Sequence, residues 1–246
     1  MELKTVAAAA LLAATASQAL AADLDDLLPP APVLEDAPET WYLRGHIGAV
    51  RPIRPEAGFT AAPLAGDLAR EGIADAAVAG LGIGYRFGPM LRTDLTLDHR
   101  FEARFQGVAT APVFAGGTLH DRARIQSSTL MWNAYADLGT WNGLTPYLGA
   151  GLGLARTVVS HHVRVTEDNT GQSSSERLSG RSEYGFAWAL MAGFGYEILP
   201  GLTVDLGYRF LSLGDVKTRS FGFGSGLALE SLSAHEVRLG LRYMFE

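Results

Sequence analysis

The sequence predicts an all-β fold, an eight-stranded antiparallel up-and-down transmembrane β-barrel, and three observations carry that prediction. Apolar residues alternate at period two with small or charged ones in eight separate segments. The connections between those segments alternate between short and long, as in a barrel with short turns at one membrane face and long loops at the other. No segment after the N-terminus has the roughly 20 apolar residues a spanning helix needs, although 48% of the chain is hydrophobic. The most apolar stretch, FAWALMAGFGYEI from Phe186, is broken by glycines and by Glu197. A chain that crosses lipid without helices must close its sheet, because lipid offers no partner to an open strand edge.

The elements follow in order. Residues 1–21 read as a secretory signal peptide: Lys4 is the positive start, residues 6–14 are an apolar run, and Ala19-Leu20-Ala21 has the small residues of a cleavage site. Residues 22–40 are rich in acid and proline and read as an extended N-terminal segment. The barrel is expected over 41–246. Its strands are expected near 41–51, 76–87, 91–102, 125–138, 146–158, 184–198, 202–213 and 234–245. The connections 88–90, 139–145 and 199–201 are short, and 52–75, 103–124, 159–183 and 214–233 are long. With the N-terminus in the periplasm, the long connections are external and an even strand count returns the C-terminus to the periplasm.

Composition narrows the class further. The chain has no cysteine, which removes disulfides and thiolate metal sites. A net charge of −6 gives no reason to expect nucleic acid.

Alternation alone does not say which face meets lipid; a soluble lipocalin-like barrel would place its apolar face inside. Two features favour the apolar face outside. Lys4 and Lys217 are the only lysines among 20 basic residues, so 18 are arginine. Arginine suits a confined interior, where its planar fork pairs with carboxylates. The aromatics also fall in two rows. Trp41, Tyr85, Phe87, Phe194, Tyr196, Tyr243 and Phe245 lie near the expected periplasmic ends. Phe101, Phe186, Trp188, Tyr208 and Phe210 lie nearer the external ends, which gives two girdles.

The opposite face carries Arg44, His46, Arg86, Arg92, Asp94, Asp98, Arg100, Asp137, Glu197, Asp205, Arg209, Glu236, Arg238 and Arg242. Charges of both signs recur on most strands, so the expected role is a structural polar network inside the barrel, preferred here over an acid–base site. Such an interior predicts a narrow pore at most. A charge moved to Leu95 or Leu97 is expected to cost more than neutralising Asp94, if water or other acceptors reach Arg92.

WYLRGHIG from Trp41, NAYADLG from Asn133, TPYLGAGLG from Thr145, DLGYRFLSLG from Asp205 and VRLGLRYMF from Val237 resemble the small outer-membrane porin-family proteins of alphaproteobacteria. These are akin to the opacity proteins and to the transmembrane barrel of outer-membrane protein A. The resemblance covers about residues 23–246. It implies an eight-stranded barrel at the cell surface with roles in envelope integrity, adhesion and host contact. Such chains usually close on an aromatic residue, whereas Glu246 here follows Phe245.

The function expected is therefore an envelope scaffold with a surface-contact role and no enzymatic activity, cofactor or metal. The expected partners are outer-membrane lipid and lipopolysaccharide, the barrel-insertion machinery, and host or surface ligands at the external loops. Two alternatives stand beside it. A lipid A-modifying enzyme would use a Ser and a His, and Ser160 with His161 or His162 supplies those residue types; neighbours on a strand point to opposite faces, which opposes the pairing. A haem-binding surface protein would draw on the six histidines, but His161 and His162 lack ligand spacing, His99 falls among outward residues, and His120 and His235 lie in or near loops. Gly149, Gly151 and Gly153 alternate with apolar residues and precede no helix, so they are read as relief of crowding and not as a phosphate loop.

Overall fold

The computed structural model describes residues 39–53, 56–59, 66–67, 70–111, 117–167, 170–178, 181–214, 216–217, 227–230 and 232–245. The expected signal peptide at 1–21, the N-terminal segment up to residue 38, the glycine-rich 222–226 and Glu246 lie outside the described residues.

Eight long strands form the barrel: β1 (Thr40–Pro52), β2 (Ala76–Arg86), β3 (Leu91–Ala111), β4 (Gly117–Asp137), β5 (Leu144–Glu167), β6 (Arg181–Leu199), β7 (Leu202–Ser212) and β8 (Ser233–Met244). Each pairs antiparallel with the next. Strand β8 then returns to β1, from Tyr42 opposite Met244 to Pro52 opposite Ala234. Closure leaves the barrel no open edge. At the seam, the Thr40 hydroxyl donates to the Phe245 carbonyl, and the Phe245 N–H donates to the Trp41 carbonyl at 2.9 Å.

The three short turns occur where the sequence puts glycine. Gly88 and Gly201 take φ of +81° and +76°. Between β4 and β5, Asn142 and Gly143 both have positive φ inside the Trp141–Leu144 bridge, the backbone of a two-residue hairpin turn. These turns share one end of the barrel with both strand seams of the termini.

The opposite end differs from the sequence expectation. The segments 103–124 and 159–183 were expected as loops, but strand structure continues through most of both. Strands β3 and β4 run on to Ala111 and from Gly117, paired to their ends, and β5 reaches Glu167. Ser173–Leu178 pairs with that extension of β5, and Arg70–Ile73 pairs with the extension of β3. Glu56–Phe59, Gly66–Asp67, Val216–Lys217 and Leu227–Glu230 make a separate small antiparallel sheet. Strands of 21 and 24 residues are about twice the 9–11 that cross a bilayer. The walls formed by β3, β4 and β5 therefore stand well clear of the membrane.

A β-bulge explains why the alternation fades there. The register shifts between Arg100 and Ala103, so Phe101 and Glu102 together oppose one residue of β4. Before the bulge, even-numbered residues of β3 face inward, from Arg92 to Arg100. After it, odd-numbered Ala103 and Phe105 do. The pattern reverses phase without ending.

Inside, bulky side chains on one strand sit opposite glycines on its neighbour. Tyr42, Arg44 and His46 of β1 face Gly84, Gly82 and Gly80 of β2. Met131, Asn133 and Tyr135 of β4 face Gly153, Gly151 and Gly149 of β5. A Cβ on Gly149 would stand 2.6 Å from the Tyr135 ring, and one on Gly84 would meet both the Tyr42 ring and the Thr93 carbonyl. The glycines thus make room that the opposite side chains fill. Gly84→Ala is expected to destabilise the barrel by about 1–3 kcal/mol through overpacking, read as a lower urea midpoint in folded vesicles; an unchanged midpoint would refute this packing.

Candidate functional site

The outer wall is apolar and carries two aromatic rows. Near the short turns, Trp41 packs edge-on to Tyr85 at 5.2 Å, Tyr85 to Phe87 at 4.8 Å, and Tyr243 to Phe245 at 5.6 Å. Toward the other end, Trp188 meets Phe210 at 5.3 Å, and His235 stacks on Tyr208. Between the rows, Leu81, Leu97, Leu152 and Leu239 are all more than half exposed. Tyr85 pairs with Thr93, and Phe101 lies eight residues further along β3. At about 3.4 Å per residue and a tilt near 40°, the rows stand about 21 Å apart, close to the roughly 25 Å apolar band of a barrel in a membrane. A water-facing exterior would not expose this much contiguous leucine.

The lumen is polar in two tiers. In the tier nearer the short turns, Arg92 donates to Asp137 at 3.0 Å and lies over the rings of Tyr135 and Tyr147 at 4.3 and 4.6 Å. Arg242 reaches both oxygens of Asp205, at 3.2 and 3.3 Å. Arg44 donates to Asp94 at 2.9 Å and to the Tyr135 hydroxyl at 2.8 Å. Asp94 also accepts from Asn133 at 2.7 Å and from the Tyr42 hydroxyl at 3.2 Å.

The second tier centres on two carboxylates. Asp98 accepts from Arg209 at 2.8 Å, Arg238 at 3.2 Å and Thr129 at 3.3 Å, with His46 Nε2 at 2.9 Å. Glu236 accepts from Arg100 at 2.6 Å and Arg238 at 2.9 Å, and forms an ion pair with Arg209 at 3.3 Å. These groups come from β1, β3, β4, β7 and β8, so the ion pairs tie the barrel across its width.

Eleven of the thirteen charged residues expected in the polar network (Arg44, Arg92, Asp94, Asp98, Arg100, Asp137, Asp205, Arg209, Glu236, Arg238 and Arg242) are buried in these tiers. Arg86 lies at the edge, its Nη2 3.8 Å from Asp137. Glu197 is a correction. It is exposed, and its carboxylate accepts from the Gly201 N–H at 3.2 Å, bracing the turn into β7. Glu197 keeps the pairing phase of Gly195, opposite Thr203, but stands at the mouth beside the turn, where solvent reaches it.

Sequence reasoning missed an apolar layer that closes the lumen above the second tier. Val50, Val78, Phe105, Ile125, Leu211, Leu213 and Leu232 are buried there, with Ile73 packed against them. The strand phase change at the bulge supplies Phe105, a signal present in the alternation of Glu102, Arg104 and Gln106 with Ala103 and Phe105. An apolar cavity of about 40 Å³ remains in this layer, and one of about 20 Å³ lies in the polar tiers below.

The residues considered for chemistry lie apart. Ser160 and His161 sit on strand β5 and not in a loop, at a second bulge where His161 takes φ of 50°. That distortion sets His161 Nδ1 3.4 Å from the Ser160 hydroxyl, closer than regular alternation predicts. His99 is exposed and contacts the Ser128 hydroxyl at 2.9 Å. His235 lies within β8, where its Nδ1 is 2.6 Å from the Tyr208 hydroxyl. His120 is in β4. Among the described residues, no three His, Asp or Glu side chains converge as a metal-binding group.

A protein of Brucella suis biovar 1 (strain 1330) is 33% identical to this chain, covering 92% of it and 93% of its own length. A proposed adhesin of Rickettsia bellii (strain RML369-C) is 24% identical over 83% of this chain and 88% of its own. In fold, the chain is similar to outer membrane protein OprG from Pseudomonas aeruginosa, with a TM-score of 0.51 at 16% identity, covering 85% of this chain and 97% of that one. Residues 6–245 match the outer membrane protein beta-barrel domain family, and the chain belongs to that family.

Proposed function

We propose that this outer-membrane barrel works as an envelope scaffold whose external strand extensions form a contact surface, and that it conducts solutes poorly. One observation carries the reading: two ion-pair tiers and an apolar layer fill the lumen, while β3, β4 and β5 continue far beyond the apolar band. An eight-stranded barrel has room for little beyond its own side chains. The Rickettsia relative's name supports the contact role. The partners proposed are outer-membrane lipid and lipopolysaccharide along the wall, the insertion machinery during assembly, and a host or surface ligand at the external extensions. The reading is non-enzymatic: Ser160 and His161 lie on the strand extension with no carboxylate among their hydrogen-bond partners in the described residues.

Two measurements test this reading. In planar bilayers the purified protein should give small or rare conductance steps; large stable steps with sugar passage would contradict it. Displayed on a non-adherent Gram-negative host, it should increase binding to eukaryotic cells or matrix, and exchanging the 103–124 and 159–183 extensions for short turns should abolish that gain. The leader is proposed to be removed after Ala21, so Edman sequencing of the exported protein should begin at Ala22. A start at Met1 would refute the cleavage.

A further inference from the structure

The charges of the lumen do not balance tier by tier. In the tier near the short turns, Arg44, Arg92 and Arg242 face Asp94, Asp137 and Asp205, three against three. Arg86 adds a fourth guanidinium at the partly exposed mouth. In the second tier, Arg100, Arg209 and Arg238 share, among the described residues, Asp98 and Glu236, three against two. His46 is the remaining titratable group there, with Nε2 toward Asp98. A guanidinium excess in a closed interior is unfavourable unless a counter-charge meets it.

The donors left over point to where that counter-charge belongs. Arg209 is 1% exposed. It places Nη1 on Asp98 and Nε near Glu236, while its Nη2 has no hydrogen-bond partner among the described residues. Arg209 lines the 20 Å³ cavity with Arg44, Arg238, His46 and Tyr147. About one probe sphere, 10–15 Å³, is needed to hold a water-sized particle. The cavity exists because β7 and β8 carry glycine there: Gly207 and Gly240 also line it, and a Cβ on Gly207 would stand 2.6 Å from the Tyr147 hydroxyl. Asp205 borders the cavity too, but Arg242 engages both of its oxygens.

We propose that this cavity binds one small monovalent anion of the halide class, which neutralises the extra guanidinium of the second tier. Its ligands are Arg209 Nη2, the flanking Arg44 and Arg238 guanidiniums and the Tyr147 hydroxyl, all of them donors. A single negative charge matches the single excess positive charge, and a doubly charged oxyanion would overcompensate it. The anion would complete the ion-pair lattice as a structural ligand.

Bromide is the probe. Crystals of the folded full-length barrel grown in sodium bromide should show one anomalous peak inside the cavity, within hydrogen-bond reach of Arg209. In solution, the unfolding midpoint should be higher in sodium bromide than in sodium gluconate at equal ionic strength. Arg209→Gln should remove the peak and weaken bromide binding on the order of tenfold or more. Gly207→Ala keeps every ion pair and fills the cavity at the cost of displacing only the tip of Tyr147; it should also abolish the peak, and it decides the matter if the arginine variant does not fold. Glu236→Gln adds a second unmatched positive charge and should tighten binding. A wild-type lumen without a peak, peaks on exterior arginines alone, or a halide effect that persists in Gly207→Ala would overturn the proposal.

Discussion

Replacing Asp98 by alanine is expected to destabilise the barrel by about 3–5 kcal/mol, the cost of leaving buried cations without their partner. Asp98 is fully buried and is contacted by Arg209, Arg238, Thr129 and His46 from four other strands. Its removal would leave three guanidiniums on Glu236 alone. Surface pairs follow a different rule: Arg51 and Asp75 are paired at 3.1 Å but largely exposed, so Asp75→Ala should produce no measurable change. Equilibrium unfolding in urea from lipid vesicles compares the two. A loss at Asp98 no larger than at Asp75 would mean that water reaches the second tier and that the lumen is open. Neutralising Asp94 is expected to cost less than a charge at Leu97, on the condition that Arg92 has water or another acceptor; Asp137 is that acceptor, at 3.0 Å, and the guanidinium that Asp94 itself holds is Arg44, at 2.9 Å.

Placing arginine at Leu97 should cost about 2–4 kcal/mol, the penalty for a cation on the lipid face near the midplane. Leu97 is 60% exposed and lies midway between the Thr93 level of one aromatic row and Phe101 of the other. The same arginine at Phe101, beside the interface, should cost roughly 0–1 kcal/mol from lipid exposure. Folding in detergent micelles and in bilayers separates the causes, since only the bilayer has a defined midplane. Equal effects at the two positions would remove the wall from the membrane and favour a soluble barrel.

The sequence by itself determined the eight strands, their direction and the sense of the wall. Lipid and lumen lie on opposite sides of every strand, so their contrast is written at period two in each segment and can be read locally. The arginine bias marks the inner face and the aromatic rows mark the outer one for the same reason. Tertiary structure decided what depends on register. Which carboxylate meets which guanidinium is set between strands far apart in sequence, as Arg100 and Glu236 are. Two bulges, each a shift in pairing with a neighbouring strand, continue β3 past Arg100 and bring His161 beside Ser160. On β3 the alternation resumes in reversed phase from Glu102 to Gln106, and only the partner strand tells that reversal from the end of one strand and the start of another. In the apolar layer the shift supplied Phe105, while Val50, Val78, Ile125, Leu211 and Leu213 keep the inward phase of their own strands. Leucine and phenylalanine read as lipid-facing along a strand, and only the closed sheet places Phe105, Leu211 and Leu213 inside, where no water or lipid reaches them.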